Sequence, residues 1–467
     1  MRVCHVRRLF HSAARAAVVL AAMTSVAAIR GVGAQIRDRA TAAKAVDSVV
    51  AAALKDGRAA GMSVAVVRGR DTIVMKGYGF ADLEYDVPTP DRAIYEIGSV
   101  TKQFTAAAIL QLEEQGKLSL DDDISKHLPD YPTQGHRITL RRLLDHTSGI
   151  KGYTEIPAFR TISTRKLPKD SLVAIFAKEK FDFAPGEGMV YNNSAYFLLG
   201  MVIEKLSGKS YGDYVSENLF KRAGMTDSRY CSENAVYKRR AHGYDMSQNV
   251  LVRAGYMDHT YPYSAGSLCS TVGDLVAWTR ALHEGRILGA KAYQTLVTPN
   301  TLNDGTRLRY AGGLASHSLA GHRVIEHGGG INGFLSEAAY FPDDSAIIVV
   351  LINTAGPVSP MAVTTSIAEV VLGKRPAKSE RFSGDVAALA GTYKGVGRGR
   401  EMVVTVRADS GVLSLQLAPQ PSSRLRYVGG DTFENDQGGR FTFVREGGRV
   451  TKLRADLIYG YSVLAKH

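Results

Sequence analysis

An α+β architecture, an antiparallel sheet flanked by helices with a helical lobe, followed by a small C-terminal all-β domain, is what this sequence predicts. Three observations predict it. Strand-like runs stand near residue 62 and again beyond residue 310, with mostly helical text between them. A polar linker rich in Lys, Arg, Ser and Pro follows at 376–385. After it come short alternating strands separated by glycine turns. Strands from both chain ends join most economically in one sheet. The helices between them then form a second lobe, with a cleft between the two.

Taken in order, Thr41 to Leu54 carries apolar residues at helical spacing and stops at Lys55-Asp56-Gly57. Met62 to Val67 and Thr72 to Gly77 flank Arg68-Gly69-Arg70-Asp71 and read as a hairpin. Ser99 to Gln115 is a long apolar-rich helix closed by Gly116. Ser194 to Leu206, Tyr211 to Lys221 and Asp274 to Leu282 are the clearest helices of the middle region. Arg323 to His327, Ser336 to Phe341 and Ala346 to Asn353 are rich in β-branched and aromatic residues and read as strands, with Thr364 to Leu372 as a closing helix. Beyond the linker, Met402 to Arg407 with Val412 to Leu417, and Phe441 to Arg445 with Val450 to Arg454, make two hairpins. Residues 386–467 therefore read as a small β-barrel.

The 467 residues, 45% hydrophobic and 22% charged, exclude wholesale disorder and leave room for two to three domains. No apolar run reaches the ~18 residues of a membrane span. Residues 1–34 read as a secretory signal peptide: Arg2, Arg7, Arg8 and Arg15, then the 13-residue apolar stretch Ala16 to Ala28, then Val32-Gly33-Ala34 as a cleavage site. The expectation is an exported protein, periplasmic or extracellular, with no integral span once the signal is gone. Five of the arginines behind the formal charge of +13 lie in residues 1–34, which leaves about +8 on the remaining chain. That mild charge, without Lys/Arg blocks interleaved with aromatics, argues against nucleic acid as a partner. Of three cysteines, Cys231 and Cys269 remain; they could pair in an oxidising compartment or stay as buried thiols.

Metal and cofactor motifs are missing from the sequence. It has no His-Glu-x-x-His, no Cys-x-x-Cys, no acidic calcium loop and no phosphate-binding Gly-x-x-x-x-Gly-Lys-Ser/Thr, so neither metal nor cofactor is expected. Ser-x-x-Lys occurs twice. Ser99-Val-Thr-Lys102 follows Gly98 and opens an apolar helix, where hydroxyl and ammonium share one face at i and i+3. A buried ammonium can then handle the serine's proton. Read alone, Ser99 is equally well explained as a helix N-cap. Ser163-Thr-Arg-Lys166 lies in a polar stretch before Pro168 and reads as a solvated loop. Tyr191-Asn192-Asn193 could offer a phenol for proton transfer and an amide for orienting substrate, or a packed tyrosine beside a capping asparagine. His327-Gly-Gly-Gly330 could let a substrate approach the sheet edge with a free N–H for an oxyanion, or be a turn between strands with a surface histidine. Gly208-Lys-Ser210-Tyr-Gly212 fits a nucleophile elbow but follows a helix, not a strand, so Ser210 is better placed as the N-cap of the next helix.

Together and in this order, these elements resemble the serine β-lactamase and penicillin-binding-protein superfamily, and most closely its branch of class C β-lactamases, D-alanyl carboxypeptidases and esterases. Gly98-Ser-Val-Thr-Lys-Gln-Phe-Thr-Ala106, Leu143-Leu-Asp-His-Thr-Ser-Gly149, Ser264-Ala-Gly-Ser-Leu-Cys-Ser-Thr271 and His327-Gly-Gly-Gly-Ile-Asn-Gly-Phe334 carry the likeness over roughly 40–375. The tail resembles the lipocalin-like barrel appended to some of these peptidases. The resemblance implies a serine hydrolase domain at 35–375, linked by 376–385 to the barrel at 386–467. It implies Ser99 as the acylated nucleophile, with Lys102 and Tyr191 sharing proton transfer. Asn193, His327 and Gly329 would bind substrate, and the backbone N–H groups of Ser99 and Gly330 would form the oxyanion hole. It makes His146 structural.

One departure stands out. His327-Gly328-Gly329 occupies the place of Lys-Thr-Gly in many relatives. Histidine is partly charged near neutral pH, and Gly328 lacks the hydroxyl that helps bind a substrate carboxylate. This puts efficient β-lactam hydrolysis in doubt more than it does an acyl-enzyme. The expectation is cleavage of a peptide (D-amino-acid) or ester bond in a small substrate, with cell-wall material as a possible partner. A class C-like β-lactamase or a non-catalytic ligand- or cell-wall-binding member are the alternatives. The sequence sets no oligomeric state.

Overall fold

The computed structural model describes residues 39–375, 381–397, 400–436 and 438–467. The signal-peptide expectation and residues 376–380 of the linker lie outside these. The chain enters with helix α1 (Arg39–Leu54), the hairpin of β1 (Gly61–Arg68) and β2 (Asp71–Asp82), and the short edge strand β3 (Val87–Pro88). A helical lobe follows, with α2 (Thr101–Glu114), the short strand β4 (Met189–Val190), α3 (Asn193–Ser207) and α4 (Val272–His283). The chain then returns to strands: β5 (Tyr310–Ala311), β6 (Leu314–Leu319), β7 (His322–Ile331), β8 (Phe334–Phe341) and β9 (Ala346–Ile352), closed by α5 (Pro360–Val371).

All of these strands except β4 form one antiparallel sheet in the order β5-β6-β7-β8-β9-β1-β2-β3. Its two chain ends meet at β1 and β9, with Val64 opposite Val350. Both strands are buried on both faces, which is why each reads as an unbroken apolar run. One face carries Met62, Val64, Val66, Ile348 and Val350 against Val46 and Val50 of α1 and Val363 and Ile367 of α5. The opposite face carries Ala65, Val349 and Leu351 into the core of the helical lobe. There α2 is buried from Thr101 to Leu112, so it has no polar face. Burial of a side chain such as Ile109 or Leu112 contributes about 2 kcal/mol. Phe104 stacks on Trp278 of α4 with ring centroids 4.0 Å apart.

The glycines after His327 are strand, not turn. β7 runs through Gly328, Gly329 and Gly330, paired to Glu337, Ser336 and Leu335 of β8. Ser163 is buried rather than solvated; its backbone N–H caps Phe159 and its carbonyl accepts from Asp258. Cys231 and Cys269 are joined as a disulfide, with Cα atoms 5.3 Å apart, in a buried cluster with Ile94.

The C-terminal region is a closed antiparallel barrel of β10 (Gly391–Gly397), β11 (Arg400–Asp409), β12 (Val412–Leu417), β13 (Ser423–Gly429), β14 (Thr432–Asn435), β15 (Arg440–Glu446), β16 (Arg449–Leu457) and β17 (Gly460–Lys466), sealed where Tyr393 of β10 faces Lys466 of β17. Its own core includes Tyr393, Leu415, Phe433, Phe441 and Phe443. The barrel is bound tightly to the larger unit. β17 adds β4 as a neighbour, Gly460 facing Val190 and Tyr461 facing Met189. Arg309, buried, donates to the Asp456 carboxylate at 3.1 Å and to the Gly438 carbonyl at 2.7 Å. Leu302, Leu308, Tyr310, Ile458 and Tyr461 form an apolar seam around these contacts. No helix among the described residues is long and apolar enough to cross a membrane.

Candidate active site

The turn Gly98–Val100 leads into α2 and presents Ser99 half-exposed at the helix start. Gly98 has φ +47°, and a Cβ there would lie 2.8 Å from the Gly330 nitrogen, so only glycine fits. One turn later, Lys102 is fully buried. Its Nζ donates to Ser99 Oγ at 3.2 Å, to Asn193 Oδ1 at 2.8 Å and to the Ala265 carbonyl at 2.8 Å. An ammonium here has one acceptor for each of its three protons, which is what a buried cation needs. The same nitrogen stands 4.7 Å from the centre of the Tyr191 ring and 5.4 Å from that of Tyr196.

Tyr191-Asn192-Asn193 divides its labour. Asn192 is the helix cap: its side chain accepts from Ala195 N–H at 3.0 Å and its own N–H donates to His146 Nδ1 at 3.1 Å. Asn193, one residue on, reaches Lys102 and sits 3.4 Å from Thr154 Oγ1. His146 takes φ +62° and packs its ring against Tyr191, Tyr196 and Tyr310, at 4.5, 5.1 and 4.7 Å. It supports these three tyrosine rings.

β7 completes the cluster. A Cβ at Gly329 would meet the Ile97 carbonyl at 2.2 Å and Ser99 N at 3.1 Å, so the strand lies directly against the serine turn. Gly330 is exposed on the strand edge. Ser336 Oγ donates to the Ile97 carbonyl at 2.8 Å and pins the turn from below.

His327 does not stand at the cleft surface. It is 1% exposed, beneath Tyr191, Tyr310 and Tyr459, whose rings lie 5.9, 5.6 and 5.2 Å away. Its Nδ1 faces the Gly328 carbonyl, and its Nε2 is 3.0 Å from Tyr310 Oη. With Nδ1–H donated, Nε2 accepts the Tyr310 hydroxyl, the pattern of a neutral imidazole. Burial first, and the nearby Lys102 charge, push its pKa down to about 4. The partly charged, substrate-facing histidine expected from the sequence is therefore corrected: burial removes both the charge and the access.

Sequence reasoning singled out neither Tyr310 nor Tyr459, and it gave no role to the Ala265 carbonyl, although Ala265 lies in one of the stretches that carry the family likeness. Tyr459 comes from the barrel, between β16 and β17. Its hydroxyl donates to Glu326 Oε2 at 2.9 Å and accepts the Gly328 N–H at 3.0 Å. Glu326 also accepts from His317 at 3.1 Å. Glu326 and Glu337 are a buried carboxyl pair. Burial and the Glu326 charge hold Glu337 well above the usual range, while the His317 hydrogen bond and charge outweigh burial and hold Glu326 below it. The two carboxyls therefore titrate as a pair, with Glu337 the harder to ionise. The remaining serines are elsewhere: Ser210 caps the helix Tyr211–Val215, accepting from Asp213 N–H at 3.1 Å. Among the described residues, Glu96, Glu233 and His259 bring three potential metal ligands together, but the Arg240 guanidinium donates to both carboxylates, at 3.0 and 2.8 Å.

Residues 46–372 match the Beta-lactamase family, and the chain belongs to it. It is a serine hydrolase of that family. Penicillin-binding protein 4* of Bacillus subtilis is 28% identical over 312 residues, covering 62% of this chain and 67% of that protein. The octameric penicillin-binding protein homologue from Pyrococcus abyssi superposes with a TM-score of 0.63 at 25% identity, covering 90% of this chain and 99% of that one. A D-stereospecific amidohydrolase from Streptomyces sp. superposes with a TM-score of 0.59 at 28% identity, covering 73% of this chain and 100% of that one.

Proposed function

We propose that this protein is an exported hydrolase that opens a peptide or amide bond next to a D-amino acid, or an ester bond, through an acyl-Ser99 intermediate. The observation that carries the reading is the Lys102 ammonium, held 3.2 Å from Ser99 Oγ by Asn193 and Ala265 and lying over the Tyr191 ring. The Lys102–Tyr191 pair, when it is one proton short of ammonium plus phenol, takes up the serine proton as Oγ attacks the carbonyl carbon. The Ser99 and Gly330 N–H groups receive the developing oxyanion. The proton passes to the leaving amine or alcohol, and water then releases the acyl group by the same steps in reverse roles. Asn193 orients the substrate amide. The likeness to a D-stereospecific amidohydrolase supports the substrate class. A buried disulfide supports an oxidising, extracytoplasmic compartment, periplasmic or extracellular.

A neutral His327 and the lack of a hydroxyl at Gly328 favour amides and esters over β-lactams. The test is a panel of D- and L-amino-acid amides, p-nitrophenyl esters and a chromogenic cephalosporin on the purified protein. Turnover of D-amides or esters above the cephalosporin supports the reading. Efficient cephalosporin turnover alone makes the protein a β-lactamase, and no covalent adduct with any of them makes it non-catalytic.

A further inference from the structure

The outer edge of β7 is paired to β6 only as far as Glu326, which faces Ala315. Among the described residues no strand pairs with that edge from His327 to Ile331. In an antiparallel strand the N–H and C=O groups alternate sides with a period of two. Gly328 donates its N–H to Tyr459 and so points it away from β8. The Gly330 N–H, two residues on, points the same way. This open edge is where a substrate main chain would add itself, with the Gly330 N–H at the reacting carbonyl.

The next station along the edge is already taken. The Gly328 N–H is held by the Tyr459 hydroxyl and the Gly328 carbonyl by His327 Nδ1. Tyr459 is itself held firmly. Its hydroxyl donates to Glu326, its ring packs edge-on against Tyr191 at 5.6 Å, and the strand that follows it is paired to β4. At ~3.3 Å per residue, Gly328 and Gly330 are about two residues of extended chain apart. A substrate running past the reacting carbonyl in the Gly328 direction therefore meets the tyrosine ring after about one residue.

We propose that Tyr459, brought in by the C-terminal barrel, is a specificity-determining residue that ends the substrate-binding edge of β7 and limits the substrate on the Gly328 side of the scissile bond to one residue or a smaller group. This rests on the acyl-Ser99 reading above and makes the protein an exo-acting hydrolase.

The experiment compares two series of D-amino-acid amides sharing one scissile bond. One series is lengthened by one, two and three residues on the carbonyl side, the other on the amine side. In the full-length wild-type protein, kcat/KM is expected to fall at least ~10-fold between one and two residues in one series and to stay level in the other. Tyr459→Ala should recover most of that drop for the two-residue substrate relative to the one-residue substrate. Tyr459→Leu, which keeps apolar packing but frees the Gly328 N–H, should do so in part and serves if the alanine variant does not fold. Equal length profiles in wild type and variants, or no step in either series of the wild type, would overturn the proposal. The rate of Ser99 labelling by a small fluorophosphonate is read in parallel. It reports the acyl-enzyme chemistry without reference to length, so a failure of the hydrolase reading is distinguished from a failure of the Tyr459 proposal.

Discussion

Lys102 Nζ lies 3.2 Å from Ser99 Oγ and at the same time over the face of Tyr191, 4.7 Å from its ring centre. One buried cation thus links the nucleophile and the phenol, and neither partner acts alone. Groups that act as a unit lose function non-additively. Lys102→Ala and Tyr191→Phe should each lower kcat/KM by ~10²-fold or more, in the range for lost acid–base catalysis. The double variant should be little worse than either single one. A double-variant loss equal to the product of the two would separate the residues.

Gly98 makes the oxyanion geometry possible. An alanine Cβ there would sit 2.8 Å from the Gly330 nitrogen, on a backbone with φ +47°. Gly98→Ala should displace the Ser99 or Gly330 N–H and cost ~10²-fold in kcat, the loss typical of one oxyanion donor, with a smaller change in KM. Steady-state kinetics with a neutral ester, beside a thermal melt, measure this.

His327 is buried with its pKa pushed down to about 4, so between pH 5 and 8 it stays neutral. Acidic and neutral substrates should follow one pH profile in that interval, contrary to the charge-dependent capture that the bare sequence suggests. A depressed histidine pKa stabilises the fold above the unfolded value of ~6.5, and that contribution falls away as pH drops towards 4. His327→Lys puts a second cation near Lys102 in a dry site, so it should lower the melting temperature and gain nothing on acidic substrates. A stable His327→Lys with raised activity on carboxylate substrates would contradict the neutral assignment.

His259 works in the opposite sense. Burial would lower its pKa, but hydrogen bonds to Glu233 and Glu96 raise it to about 9. Its folded pKa exceeds the unfolded value of ~6.5, so the stabilisation is complete below that value and is lost as pH rises through about 9. The melting temperature of the wild type, relative to His259→Gln, should be highest near pH 6 and converge with it above pH 9. A difference that does not change between pH 6 and 10 would remove the ion pair from the account.

The legible part of this protein was local. Ser99 and Lys102 share one helical turn, and Gly98 before them marks a special backbone, so their spacing already carried the geometry. The β1 and β9 strands were legible because burial on both faces leaves an unbroken apolar run. His327 misled because three following glycines look like an exposed turn. The close approach of β7 to the serine turn explains the glycines, and three tyrosines bury the histidine. Which asparagine caps and which reaches Lys102 depends on where α3 begins, a matter of one residue. Tyr459 left no trace because its place in the site depends on how the barrel docks, through Arg309 and the β4–β17 pair.

The central claim is that Ser99 is the acylated residue, and labelling tests it most directly. Purified protein is treated with a fluorophosphonate and the modified peptide is identified by mass spectrometry. The account predicts a single adduct on Ser99, abolished in Ser99→Ala and retained in Ser163→Ala and Ser210→Ala. Full labelling of Ser99→Ala, with loss of the adduct in Ser210→Ala, would contradict it.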